Sequence, residues 1–421
     1  MGPHKAAFPN TKSLIPVLVA LVMVSGSVHG WSSFRGDVRN TGYVNETLNE
    51  NEGLSPTTGW VVKLDSAVSC SPVMGDFGVV VGTENGTLYC LDRSNGGELW
   101  TSRMSGPIRS TPAYSDDTGY VIVCDDTGRA TAFRAIDGSE VWTWQSATGG
   151  QVISSPLVAR SRVVFGSYDS SVYCLSERNG SLMWRFTGCS GWVHTSPALS
   201  GEDVLFGSCD GTLNSVSILN GTRSWHFQDS YIPSSPAVDR GRVFFGSYDE
   251  NLYCLNTTDG SVVWNTTLGD GIASSPSVGS SVVVVGCDDG NLYCLERGSG
   301  SFIWSARISA GALDSSPVLF KDHVAVTGSD GILILSLNGS VAHRFQLGDP
   351  GGTSPAYYDG SMVFGDTLGY LHSIDLKEEI PDEDGEGKDR PPYLLYMVAF
   401  KTFAYVVVAA VLFFYLRKRR L

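Results

Sequence analysis

Short apolar runs broken by turn residues dominate the chain between residues 54 and 376. Residues 234–264 show the unit most clearly: SSPAVDRGRVFFGSYDENLYCLNTTDGSVVW holds four runs, PAV, RVFFGS, NLYCL and SVVW, separated by DRG, YDE and NTTDG. Runs of this length, rich in Val, Phe, Tyr and Trp and bounded by Gly and Asp, predict strands rather than helices. Each unit is therefore a four-stranded antiparallel meander.

The unit recurs. A Ser-Pro or Thr-Pro pair ends at Pro72, Pro112, Pro156, Pro197, Pro236, Pro276, Pro317 and Pro355, in steps of 40, 44, 41, 39, 40, 41 and 38 residues. Proline keeps the residue before it extended, and so marks the entry to an innermost strand. A Trp closes the last strand of each unit at Trp60, Trp100, Trp142, Trp184, Trp225, Trp264 and Trp304, with His343 in the eighth place. Eight markers of each kind at a period near 40 predict an all-β fold, an eight-bladed β-propeller of four-stranded blades over residues 54–376. Trp60 comes before the first Ser-Pro, whereas the last unit ends at Leu376 after only three strands. The N-terminal strand around Trp60 is therefore expected to close the last blade, leaving no open sheet edge.

Within the blades, the second strand ends in a Gly-x-x-Asp turn, as from Gly166 to Asp169 and from Gly246 to Asp249. The third carries Tyr-Cys-Leu at Tyr89, Tyr173, Tyr253 and Tyr293, followed by Asn179-Gly180 or Asp259-Gly260 before the Trp strand. Asn-Gly and Asp-Gly are the strongest short hairpin signals.

Composition agrees with one large β domain between targeting segments: 421 residues, 49 Gly, 42% hydrophobic and 17% charged. The net charge of -14 argues against a nucleic-acid backbone or an anionic membrane surface as partner. Residues 1–30 read as a signal peptide: Lys5 and Lys12 precede LIPVLVALVMV, and SGSVHG supplies small residues before Trp31. Eleven apolar residues are too few to span a bilayer. Residues 31–53 form a polar lead-in, WSSFRGDVRNTGYVNET at its start. It holds Arg35-Gly36-Asp37, a triplet that integrins can read, although three common residues in a polar lead-in segment are the stronger reading.

Beyond the blades, residues 377–392 (KEEIPDEDGEGKDRPP) form an acidic stalk. Residues 393–416, 24 largely apolar positions, read as a transmembrane helix. The basic tail 417–421 then stays in the cytoplasm. Lys401 within the span either snorkels or pairs with another membrane helix. The tail looks like a dibasic retrieval signal and like a stop-transfer cluster alike. The expected product is a single-pass type I membrane protein with its propeller extracellular or luminal.

Candidate chemistry is sparse. Asp125, Asp126, Asp169, Asp210, Asp249, Asp288, Asp289 and Asp330 gather at second-strand turns on one face of the disc, as turn caps or as an acidic rim. No DxDxDG run of the calcium-loop kind occurs. Seven scattered histidines have neither metal nor triad spacing. Nine cysteines is an odd count. Cys90, Cys174, Cys254 and Cys294 repeat at one strand position and read as small buried residues, while Cys189 with Cys209 is the disulfide candidate. Sequons stand at Asn45, Asn85, Asn179, Asn220, Asn256, Asn265 and Asn338, all between the two hydrophobic segments, which favours a glycosylated ectodomain.

The motif seen in LSERNGSLMW and LNTTDGSVVW, a Leu, then Asn/Asp-Gly-Ser, then Trp, resembles the tryptophan-docking repeat of PQQ-like propellers. That family includes the quinoprotein alcohol dehydrogenases, and the organisation also resembles the bacterial outer-membrane assembly lipoprotein of the same class. The resemblance covers residues 31–376 and implies that Trp60, Trp100, Trp142, Trp184, Trp225, Trp264 and Trp304 wedge between neighbouring blades. It implies activity more weakly, because quinoprotein dehydrogenases add long loops, an adjacent Cys-Cys pair, a bound Ca2+ and a catalytic Asp. This chain has no adjacent cysteines.

Two readings of function follow. In the first, the propeller is a non-enzymatic binding or scaffolding ectodomain that holds a protein or glycan partner at a propeller face, with no cofactor, no catalytic residue and no metal. The alternative is a quinoprotein-like oxidoreductase that requires PQQ and Ca2+. A luminal sensor stays open if the tail is a retrieval signal.

Overall fold

A computed structural model describes residues 30–48, 56–329, 331–346 and 353–376. The signal peptide, Asp330, the stalk, the transmembrane span and the tail, as expected from sequence, lie outside the described residues. Among the described residues every regular element is a strand, and no helix is long and apolar enough to cross a membrane.

Thirty-two strands form eight four-stranded antiparallel sheets, each a blade. From the centre outward the strands of a blade are A, B, C and D. In blade 5 they are Ala237–Asp239, Arg242–Gly246, Asn251–Asn256 and Val262–Thr267. Strand B is buried on both faces because each blade is sandwiched between two others, which explains its unbroken apolar run. Strand D faces solvent on both sides except at its Trp. In blade 8, Ala356–Tyr358, Ser361–Gly365 and Tyr370–Asp375 are completed by Thr57–Lys63, paired from Thr57↔Asp375 to Lys63↔Tyr370.

The tryptophans join blade to blade. Each indole N–H donates to a carbonyl in the C–D turn of the following blade: Trp60 to Arg93, Trp100 to Ala135, Trp142 to Glu177, Trp184 to Ile218, Trp225 to Thr257, Trp264 to Arg297 and Trp304 to Leu337, at 2.6–3.1 Å. A bulge beside the Trp re-aims its side chain out of the blade. The ring lies on a turn glycine held at positive φ; at Gly180 (φ 68°) a Cβ would come within 2.5 Å of the Trp142 ring. Opposite the Trp stands a small buried residue, as in Cys90↔Trp100, Cys174↔Trp184, Cys254↔Trp264 and Cys294↔Trp304. Blade 7 carries His343 in this place because blade 8 has no continuous C–D turn to receive an indole: its strands C and D come from opposite ends of the chain.

Two further layers of polar contacts hold the centre. In seven of the eight blades the residue before the marker proline passes its backbone N–H to the hydroxyl of the equivalent residue one blade on: Thr111 to Ser155, Ser155 to Ser196, Ser196 to Ser235, Ser235 to Ser275, Ser275 to Ser316, Ser316 to Ser354 and Ser354 to Ser71, at 2.9–3.1 Å. This girdle explains why the position is Ser or Thr, a reason additional to the backbone preference set by proline.

The lead-in is not a loose polar segment. It runs over the end of the central channel formed by the A–B turns and satisfies the free edges of the inner strands. In six blades the amide two residues after the marker proline donates to it: Met74 to Trp31 O, Tyr114 to Ser32 O, Leu199 to Val38 O, Val238 to Arg39 O, Val278 to Thr41 O and Leu319 to Gly42 O, at 2.7–2.9 Å. Asn40 Nδ2 donates to the carbonyls of Ser196, Pro197 and Pro236. Arg35 is only 3% exposed and donates through Nη2 to Ser277 Oγ. Desolvation lowers its pKa to about 9 against the opposing pull of Asp37. A guanidinium buried this way is not presented to a receptor, so Arg35-Gly36-Asp37 works as part of the plug.

Candidate functional site

The lead-in crosses one end of the channel; among the described residues no such segment crosses the other. That other end is framed by the B–C turns and by the loops that run from strand D into the next strand A. The two sets are tied together by one repeated backbone bond: Glu84 N–H donates to Ala67 O, Asp126 to Pro107 O, Tyr168 to Gln151 O, Cys209 to Trp192 O, Tyr248 to Tyr231 O and Asp288 to Gly271 O, at 2.9–3.0 Å. The bond fixes the backbone while leaving the side chain free to vary, so this position displays Glu, Asp, Tyr or Cys according to the blade.

The displayed side chains form a continuous arc. Arg109 bridges Glu84 (Nη2 to Oε2, 2.8 Å) and Asp126. Tyr168 stacks on Trp192 with ring centroids 4.7 Å apart and planes within 6°, and Trp192 is still 54% exposed. His194 lies edge-on to Tyr168, with Nδ1 3.4 Å from Cys209 Sγ and Nε2 3.3 Å from Tyr231 OH. Tyr231 meets Tyr248 at 4.9 Å in a T-shaped pair. Tyr248, which is exposed, lies beside Asp288.

Electrostatics distinguish the ends of the arc from its middle. Burial pushes the Asp288 carboxyl up, and the carboxylates of Asp314 and Asp270 push it further. Burial also raises Asp126, more than Arg109 lowers it. One oxygen of each, Oδ1, is buried without a hydrogen-bond partner, and the Asp126 side chain is 6% exposed. Desolvation holds His194 below its ordinary value and Cys209 above, so the two face each other as neutral imidazole and neutral thiol. That is the opposite of the thiolate–imidazolium polarisation a cysteine nucleophile needs.

Other sequence-derived candidates fall into structural roles. Asp125, Asp169, Asp210, Asp249 and Asp289 cap their own turns: Asp210 Oδ1 accepts from Thr212 N and Oγ1, and Asp249 Oδ1 from Asn251 N. Asp126 and Asp288, the other members of the two Asp-Asp pairs, point into the mouth instead. What separates them is the repeated backbone bond, made by the amide that follows the capping Asp125 in one pair and by the amide that precedes the capping Asp289 in the other. Cys189 and Cys209, paired in the sequence-based expectation, are separate thiols. Cys209 turns to His194 while Cys189 lies 3.7 Å from Asn214 Nδ2. Asn45, Asn85, Asn179, Asn220, Asn265 and Asn338 are exposed and Asn256 is half-buried. On the plugged face a cavity of about 300 Å³ lies between the lead-in and blade 8, where Tyr357 OH donates to Glu46 and Tyr358 OH to Asp76.

A family model described as outer membrane protein assembly factor BamB matches residues 44–159, 126–271, 232–290 and 269–378. Among characterised proteins, tetrathionate hydrolase of Acidithiobacillus ferrooxidans is 34% identical over 102 residues, 24% of this chain and 20% of that one. BamB of Nitrosomonas eutropha is 29% identical over 140 residues, 32% of this chain and 34% of that one. The polyvinylalcohol dehydrogenase of a Pseudomonas species is 29% identical over 149 residues, 29% and 23% respectively. The chain thus spans between a fifth and about a third of the length of these relatives. Among solved structures, BamB from Moraxella catarrhalis superposes with a TM-score of 0.66 at 18% identity, over 76% of this chain and 100% of that one. A europium-containing methanol dehydrogenase gives 0.72 at 12% identity, over 85% and 100%. Likeness at these identities is likeness of fold.

Proposed function

The chain belongs to the family described as outer membrane protein assembly factor BamB, and from that premise we propose that it is a non-enzymatic binding propeller that holds a protein partner at the open mouth of its channel. The observation that carries this reading is the asymmetry of the disc. One end of the channel is filled by the chain's own lead-in, and the other carries an arc of aromatic and acidic side chains, with Trp192 and Tyr248 exposed, whose backbone is fixed by six repeated hydrogen bonds.

The described residues also suit an anchored ectodomain. Gly30 sits against Gly75, at the end of an A strand, and Leu376 N–H donates to Gly360 O in an A–B turn, so both ends of the domain lie on the plugged face. Residues 1–30 are then a cleaved leader and 393–416 the span. The seven sequons then lie outside the cytoplasm, and the glycans are part of this proposal.

The second reading, a PQQ- and Ca2+-dependent oxidoreductase, draws on the likeness to quinoprotein dehydrogenases. Among the described residues no three of His, Cys, Asp and Glu converge as a metal site. Nor is there the adjacent Cys-Cys pair that the resemblance implies.

The test uses the full chain in detergent with a photo-crosslinking side chain at position 192, or at exposed Leu182 on an outer strand as control. A discrete protein adduct from 192 and none from 182 is the expected result. Equal labelling from both positions, or saturable micromolar binding of PQQ with Ca2+, overturns the proposal.

A further inference from the structure

We infer that the open mouth takes a cationic ligand, specifically the arginine or lysine side chains of a basic peptide segment. The inference rests on the reading of the mouth as the binding face and adds the chemistry of what binds there.

The aromatic stretch runs through blades 3 to 5 and offers π faces: Tyr168 with Trp192, then Tyr231 with Tyr248. Guanidinium and ammonium groups bind such faces through the ring quadrupole, most strongly that of Trp. Carboxylates flank the stretch on both sides, with Glu84 and Asp126 at one end and Asp270, Asp288 and Asp314 at the other. Arg109 neutralises only the first pair. The whole chain is also acidic, at -14.

The second observation is the pair of buried, unpartnered oxygens, Asp126 Oδ1 and Asp288 Oδ1. A carboxylate kept partly desolvated beside other carboxylates gains from an external N–H donor, and an arginine side chain supplies charge and donors together. A glycan would also stack on Trp192, but a neutral sugar leaves the crowded carboxylates at the far end uncompensated. A small polyamine would match the charge, yet the arc spans several blades, so a peptide with two or more basic side chains reaches both ends at once.

The probe is a fluorescent octapeptide carrying two arginines four residues apart, titrated by anisotropy into the full chain in detergent at two salt concentrations. Its partners are the same peptide with citrulline for arginine, spermidine as competitor, and chito-oligosaccharide. Saturable binding that weakens at least tenfold in Trp192→Ala and in Asp288→Asn, and less than twofold in Asp137→Asn on the plugged face, is expected. Citrulline at both positions abolishes it. The inference is overturned by equal loss in Asp137→Asn, by equal binding of the citrulline peptide, by displacement at micromolar spermidine, by preference for the oligosaccharide, or by no peptide binding. A partner adduct at position 192 without arginine-peptide binding sinks the ligand class alone, whereas absence of both sinks the binding face as well.

Discussion

Single side chains in this repeat are sorted by one question: whether the residue has a partner in its own blade, in the next blade, or in neither. Ser235 is of the second kind, accepting the Ser196 amide at 2.9 Å in the buried girdle. Ser235→Ala leaves that N–H unsatisfied and is expected to cost about 1–3 kcal/mol in urea denaturation. Capping aspartates belong to the first kind. Burial acts to raise Asp210 and Asp249, but hydrogen bonds outweigh it: Thr212 and Ser190 hold Asp210 below its ordinary value, as Tyr253 and Asn251 hold Asp249. A carboxyl depressed in the folded state adds stability that is fully present above its unfolded pKa and lost as pH falls through the folded one. Denaturation free energy should therefore be flat near neutrality and decline below about pH 4. Asp288 belongs to neither kind and has the opposite sign: its carboxyl is raised, so its ionisation at pH 7 opposes folding. Asp288→Asn is expected to raise Tm while it weakens the mouth, and a fall in Tm would contradict that account. The sequence distinguished caps from displayed residues poorly, because both are Asp in a turn and only the position relative to the backbone bond tells them apart.

At the scale of strands and turns, legibility was high wherever a period existed. Strand order, blade count and the swap of the N-terminal strand into blade 8 all followed from proline and tryptophan spacing, because each repeat obeys the same packing. Residues 31–48 have no period, since they cross several blades instead of lying within one, and nothing in WSSFRGDVRNTGYV announces six main-chain bonds to strands far away in sequence. The girdle was missed for a related reason. A Ser-Pro pair already has a local explanation in backbone conformation, and the long-range one is invisible without coordinates. The indole contacts give a comparison within one molecule. Trp225→Ala removes a buried ring and its bond to Thr257 O and is expected to cost about 3–5 kcal/mol. His343→Ala, at the interface that has no receiving turn, is expected to cost less than about 1 kcal/mol. Equal losses at both sites would show that the seam is locked by something other than the turn.

The whole molecule is a ring closed twice, once by Thr57–Lys63 at the rim and once by the lead-in at the hub. Removing residues 30–48 while keeping the rim strand separates the two. The eight blades should persist by circular dichroism, while amide exchange accelerates selectively at Met74, Tyr114, Leu199, Val238, Val278 and Leu319, the donors to the lead-in. Uniform acceleration across all strands would instead make the hub a condition of folding. The rim closure also imposes a schedule. Thr57 pairs with Asp375, so the first strand to be synthesised waits for the last, more than 300 residues later. At a synthesis rate of about 5–20 residues per second, that delay is on the order of 15–60 s. Throughout it, the nascent chain carries a rim strand without the sheet partner it has in the folded ring. Biogenesis therefore contains a built-in window in which a chaperone has something to hold, and the window shuts once the strand ending at Asp375 has been made.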